Sequence, residues 1–155
     1  PDFVLNRDRY RNAAILFAGA NFGCGSSREA AAWALVAYGI RCVAAPSFSD
    51  IFYENALRNG LLPALISPQD LADAVALIER QEAESRFHVD LPGQAIVAPD
   101  GRAIRFEIAA YRRDALLRGD DEIAATLRMS EDIDRFARAD LVHRPWLYAP
   151  LPAET

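Results

Sequence analysis

Ile15-Leu16-Phe17-Ala18-Gly19-Ala20-Asn21-Phe22-Gly23-Cys24-Gly25-Ser26-Ser27-Arg28-Glu29, continued by an alanine-rich run to Gly39, decides how this chain folds. Ile15 to Ala18 is short, apolar and stopped by Gly19, the pattern of a buried strand. Asn21 to Gly25 is then a loop whose two glycines, Gly23 and Gly25, permit φ > 0 and close approach of backbone N–H groups to a ligand. Ser26 and Glu29 have the spacing of a capping box, which predicts a helix from about Ser26. With two hydroxyls and Arg28 on its first turn, and the partial positive charge of a helix N-terminus, this point suits an anion.

Other readings of the same residues stand beside that one. Ser26 can be a cap only, Ser27 a first-turn residue and Arg28 a solvated charge. A dinucleotide site is the weaker alternative, because the third glycine of G-x-G-x-x-G falls on Arg28.

Working outward, Gly39 stops the helix and Ile40 to Ala45 predicts a second strand, giving a βαβ unit with a parallel pair. A right-handed crossover sets the helix on one sheet face and the glycine loop at the carboxyl edge, where open α/β sheets bind ligands. A second helix is expected over Ile51–Asn59. Phe48 and Phe52 fall with Ala56 at helical spacing and read as core, as does the neighbouring Tyr53, rather than as a stacking platform. Asn55 and Arg58 are its polar residues. Leu61–Ile66 is a third strand, with Pro63 near an edge or an irregular position. Ser67-Pro68 then starts an amphipathic helix running to about Glu82.

From Phe87 to Ile108 the rhythm becomes alternating, a β-meander with a tight turn at Asp100-Gly101. His88 on its polar face and His143 near the end have no ligand partners at metal spacing, so neither is assigned a catalytic or metal role. Ala109–Arg118 reads as helix. Asp120-Asp121-Glu122 reads as the acidic start of another rather than as a cation site. Ser130-Glu131-Asp132 caps a last helix, Ile133 to Leu141. Residues 142–155 form a proline-containing tail whose Trp146-Leu147-Tyr148 is apolar. Arg7, Arg9 and Arg11 read as a solvated approach to the first strand.

The chain has 155 residues and 52% hydrophobic content, enough for one sizeable core, and residues 1–155 read as a single domain. Its net charge is −5 and every basic residue is arginine, without the basic balance of a nucleic-acid binder. No apolar run approaches the ~20 residues of a membrane span, and no secretory signal is expected. Cys24 and Cys42 are too few for a disulfide framework or an iron–sulfur cluster and are expected to stay reduced in a cytoplasmic protein.

NFGCGSSRE, then WAL, YGIR, APSFSDIFYENALRNGLLP, FEI and LLRGDDEIAATL, resemble the small subunit of 3-isopropylmalate dehydratase, the swivelling-domain relative of aconitase, from about Phe3 to Leu127; Arg144-Pro145-Trp146-Leu147 fits the family's tail. The resemblance implies an α/β fold: a three-layer β/β/α swivelling domain with a parallel core, an antiparallel meander and helices outside. A doubly wound nucleotide-binding domain is the alternative from pattern alone, opposed by the meander. The family carries an Asp-Thr-Asp segment upstream of this point. The expectation is that this chain, which opens at Pro1 without Met, is a fragment or has a processed or disordered N-terminus and lacks any site residue from that segment.

Reversible dehydration of a 2-hydroxy dicarboxylate needs a base, a Lewis acid and cations for the carboxylates. The resemblance implies that a separate large subunit carries a 4Fe-4S cluster, with no metal or cofactor on this chain, and that this chain covers it as a lid in leucine biosynthesis. By that carry-over Ser26 takes the place of the catalytic serine, acting as an alkoxide base, while Gly25, Ser27 and Arg28 fall at substrate-contacting positions. No nucleic acid or membrane partner is expected. The family commonly continues SSRE with His-Ala-Pro or a close variant, and this chain reads Ala30-Ala31-Ala32. A paralogous dehydratase acting on 2-methylmalate (citraconate) or 2,3-dimethylmalate is therefore an alternative. A non-catalytic anion-binding or assembly module is an alternative of another class.

Overall fold

The computed structural model describes residues 3–25, 28–80 and 86–148. Its elements are β1 (Ile15–Phe17), α1 (Ala30–Tyr38), β2 (Cys42–Ala45), α2 (Asp50–Arg58), β3 (Leu62–Leu65), α3 (Pro68–Arg80), β4 (His88–Asp90), β5 (Ala95–Val97), β6 (Ala103–Arg105), α4 (Ala110–Arg118), α5 (Glu122–Leu127) and α6 (Ser130–His143). Short 3₁₀ turns stand before β1 and after α6. The chain divides into two compact units, Pro1–Gly119 and Asp120–Thr155.

In the first unit β1, β2 and β3 form a parallel sheet in that order, with Ile15 opposite Cys42 and Cys42 opposite Leu62. Alternation along the strands separates two apolar faces. Leu16 and Val43 face α1 and α2, packing with Ile40, Phe52, Ala56 and Leu61. Phe17, Cys42, Ala44, Leu62 and Ala64 face the antiparallel sheet β4-β5-β6, meeting Ile96, Ile104 and Phe106, with α3 contributing Leu71 and Ala74. The result is the β/β/α layering expected, and a doubly wound arrangement is ruled out because an antiparallel sheet packs, beside α3, on the face that a doubly wound fold covers with helices alone.

Local chemistry accounts for the boundaries. Pro63 sits in an edge strand, fully buried. Leu62 and Ile66 donate to the carbonyls of Arg41, just before β2, and Ala45, at its end, so the alternate position, Pro63, turns its nitrogen to the unpaired side and loses no ladder bond. Ser67 caps α3: its Oγ accepts the Asp70 N–H at 3.0 Å, with Pro68 as the first helical residue. Gly101, at φ 85°, closes the β5–β6 hairpin, where Ala98 donates to Arg102 at 2.8 Å. Arg9 departs from a purely solvated role, since its guanidinium donates to the Ile78 carbonyl on α3 at 2.8 Å.

In the second unit the acidic run is structural: the Asp121 carboxylate accepts the Ala124 N–H at 2.7 Å and caps α5. The last helix is longer than Ile133–Leu141. It begins at Ser130, with Met129 at the cap position and no side-chain cap, so Ser130 is its first residue rather than its cap, and it runs to His143. No described residue of α6 is buried, and Phe136, Leu141 and Trp146 lie exposed.

Candidate active site

The glycine loop leaves the carboxyl end of β1 beside the connector that leaves the carboxyl end of β2. Asn21 adopts a left-handed conformation at φ 57°, one that asparagine tolerates better than most residues. Its amide donates to Ser47 Oγ at 2.7 Å, and the Ser47 hydroxyl stands 3.3 Å from Asn21 Oδ1, which accepts from it. Phe22 then donates to the Ser47 carbonyl at 3.0 Å, and Ser49 donates to the Phe22 carbonyl at 2.9 Å. This short parallel bridge between Phe22 and Phe48 extends the sheet edge by one rung.

Behind the bridge the aromatic rings form a packed support. Phe22 meets Phe52 edge-on with centroids 5.1 Å apart, and Phe48 stacks on Phe52 at 6.1 Å. The core role expected for Phe48 and Phe52 holds. Arg112 of α4 lies over the Tyr53 ring at 5.3 Å and pairs with Glu54 at 2.6 Å. A hydrogen bond with Tyr111 and the pair with Glu54 hold the Arg112 guanidinium in its charged form, against a smaller opposing effect of burial.

The two glycines differ. Gly23 alone has positive φ, at 80°, and turns the loop over Phe52. Gly25 has neither positive φ nor any described atom within 4 Å of where its Cβ would be, so what its missing side chain leaves is open space above the backbone. Of the two glycines that permit φ > 0, Gly23 alone uses it.

The helix start is also corrected. Ser26 and Ser27 lie outside the described residues. Helix α1 begins at Ala30, with Glu29 at the cap position in helical conformation and no side-chain cap bond. The Glu29 carboxylate instead accepts from Asn59 Nδ2 at 3.2 Å, at the far end of α2, so it is not reaching back along its own chain. Arg28 therefore precedes the helix rather than riding on its first turn, and its carbonyl accepts the Ala31 N–H at 3.1 Å. A carboxylate already stands at the positive end of α1, so attraction for an anion at this edge rests on Arg28 more than on the helix dipole.

Asn21, Cys24, Gly25, Arg28 and Glu29 are all exposed. A cavity of about 330 Å³ lies at the amino end of the strands, lined by Ile15, Arg41, Cys42, Leu62, Phe87 and Leu116 among others, with no loop residue. Among the described residues no group of His, Cys, Asp or Glu is placed to hold a metal ion. Cys24 is exposed on the loop and Cys42 is buried in β2, where burial pushes its thiol up to about 12. Asn55, half-buried, receives the Asn59 amide on its carbonyl at 2.8 Å, and Arg58 is exposed. Ser47, Asn59 and the Gly23–Phe52 contact were not marked as site features by the sequence. Only the turn at Pro46 and the helix end at Gly60 hinted that chain segments return to this edge.

Comparison with known proteins agrees with the fold. Residues 1–69 match the family described as the aconitase C-terminal domain. The chain is 51% identical over 146 residues to the 3-isopropylmalate dehydratase small subunit of Rhodospirillum centenum, covering 94% of this chain and 71% of that protein. It is 52% identical to the protein of the same name from Granulibacter bethesdensis, covering 94% and 70%. In structure it is similar to a crystal structure of 3-isopropylmalate dehydratase from Methanocaldococcus jannaschii, with TM-score 0.57 and 30% identity over 78% of this chain and 68% of that one.

Proposed function

Because the chain belongs to the family of 3-isopropylmalate dehydratase small subunits, we propose that its glycine loop and the residues after it are one half of a divided active site. The chain is the small subunit of isopropylmalate isomerase, a hydro-lyase of leucine biosynthesis that works with a large subunit. The observation that carries the assignment of the site is the loop at the carboxyl edge of the parallel sheet, fixed from behind by Ser47 and Phe52 but open in front. A rigid support under an uncovered loop is what a lid needs if a second chain supplies the facing wall.

In this reading Ser26 Oγ accepts the proton removed from substrate carbon, and Arg28 holds a substrate carboxylate through two parallel hydrogen bonds. Gly25 leaves its backbone N–H open to the same ligand, and Ser27 adds a hydroxyl contact. A serine hydroxyl is a weak base, and the neighbouring Arg28 charge favours its alkoxide. The residues described here do not fit an iron–sulfur cluster, so the Lewis-acid part of the chemistry is assigned to the large subunit. A small dicarboxylate substrate and a cytoplasmic setting, where thiols such as Cys24 stay reduced, belong to the same proposal.

The test is an anaerobic assay of this chain with its cluster-loaded large subunit, offering 3-isopropylmalate and then 2-methylmalate, with each component alone as control. Turnover in the mixture only, abolished by Ser26→Ala while the complex still assembles, supports the reading. Full turnover of the Ser26→Ala complex would remove serine from the base role and favour a binding module. Preference for 2-methylmalate would assign the paralogous activity.

A further inference from the structure

The connector Pro46-Ser47-Phe48-Ser49 carries no chemistry of its own, yet it is where the glycine loop is tied down. Two ties run through backbone, from Phe22 to the Ser47 carbonyl and from Ser49 to the Phe22 carbonyl, and survive any side-chain change at position 47. The other two run through the Ser47 hydroxyl: it accepts the Asn21 amide at 2.7 Å and lies 3.3 Å from Asn21 Oδ1. Asn21 is the non-glycine residue held at positive φ on the loop itself, so it is the position with most to gain from an outside anchor. Gly25 and Arg28 follow within seven residues, with Glu29 next fastened by Asn59. Asn21 and Glu29, on either side of the proposed site residues, are thus each held by a residue from elsewhere in the chain, and the Ser47 hydroxyl is one of those holds.

We propose that Ser47 is a positioning residue of the dehydratase: its hydroxyl fixes Asn21 and thereby the register of the loop that presents Gly25, Ser26 and Arg28, without itself touching substrate. The inference rests on the assignment of those residues to the site. Both hydroxyl bonds lie at the exposed edge of the sheet, outside the aromatic core. Their loss disturbs global stability little, whereas small displacements of reacting groups are costly to turnover.

The experiment compares Ser47→Ala, Ser47→Thr and Ser26→Ala in the assembled enzyme. It measures kcat and KM, the thermal midpoint, complex formation, and hydrogen exchange in the peptide spanning residues 18–25. Ser47→Ala is expected to lower kcat ~10-fold with KM within ~2-fold, and to raise exchange in that peptide at an unchanged thermal midpoint; Thr, which keeps the hydroxyl, restores both. An unchanged kcat in Ser47→Ala, a loss that follows the thermal midpoint or complex formation, or a failure of Thr to restore it would overturn the proposal. An inactive Ser26→Ala beside a fully active Ser47→Ala rejects the positioning role alone. A fully active Ser26→Ala rejects the site assignment, and the positioning role with it.

Discussion

Gly23 and Phe52 are in contact closer than any side chain at position 23 would allow: a Cβ on Gly23 would stand 2.4 Å from Phe52 Cβ and 2.5 Å from its Cγ. Phe52 is held by α2 and by the rings of Phe22 and Phe48, so it has no free end to swing away. Gly23→Ala combines this overlap with a φ of 80° that alanine resists. It should cost about 3 kcal/mol in urea unfolding, summing left-handed strain and overpacking. Gly25→Ala meets no described atom and should stay within about 0.5 kcal/mol of the parent. Equal stability of the two variants would contradict the packing described for Gly23.

Arg28→Lys keeps the charge and removes the planar fork. If Arg28 clamps a substrate carboxylate, the assembled enzyme should show KM raised about 30-fold, equivalent to about 2 kcal/mol for one charge-assisted bond, with complex formation unchanged. Steady-state kinetics beside a pull-down of the large subunit reads both, and an unchanged KM would place Arg28 outside the substrate site.

Most of the layer order was legible because it rests on short-range patterns. Ser67-Pro68 announces a helix start, Pro99-Asp100-Gly101 a hairpin, and the change from helical to alternating periodicity near Phe87 a second sheet. The details of the site were not legible, because they depend on partners far along the chain. Ser47 and Asn21 are separated by 26 positions, and Glu29 and Asn59 by 30. Capping-box spacing describes what Glu29 can do locally, and an amide from α2 claims the carboxylate instead. Ser130 likewise has the composition of a cap, but the cap position of α6 falls on Met129 and Ser130 is its first helical residue. The glycines and the strand–helix–strand order locate the loop and the family resemblance gives its residues their roles, while the structure supplies what holds it.

Cys42 is buried in the central strand, and burial pushes its thiol up to about 12. At pH 8, thiol reagents should therefore label the exposed Cys24 and leave Cys42 untouched until the chain unfolds. The linkage has a definite sign. A thiol whose folded value is raised above the unfolded value of ~8.5 contributes its stability in full below that pH and loses it as pH rises toward 12. Between pH 7 and 10 the parent should lose about 2 kcal/mol more than Cys42→Ala. Parallel pH profiles of urea unfolding for the two proteins would contradict this.

Asp140 gathers the end of α6 around itself: Arg144 Nε donates to its Oδ1 at 2.5 Å and Tyr148 Oη to its Oδ2 at 2.9 Å. Desolvation pushes its carboxyl up, but the two hydrogen bonds and the nearby Arg144 charge outweigh it and hold the group below its usual value. The Tyr148 phenol is raised, chiefly by its hydrogen bond to the same carboxylate. A depressed carboxyl contributes above its unfolded value of ~3.9 and loses that contribution as pH falls through the folded value. Acid should therefore release the 3₁₀ turn Pro145–Leu147, and Trp146 within it is the reporter. Its fluorescence is expected to change only once the pH falls below the ordinary carboxylate range, where Asp140 gains a proton. Asp140→Asn should show the acid-state signal already at pH 7, since an amide neither pairs with Arg144 nor accepts with the strength of a charged oxygen. An Asn variant that keeps the neutral-pH signal and its acid transition would assign that transition to another group.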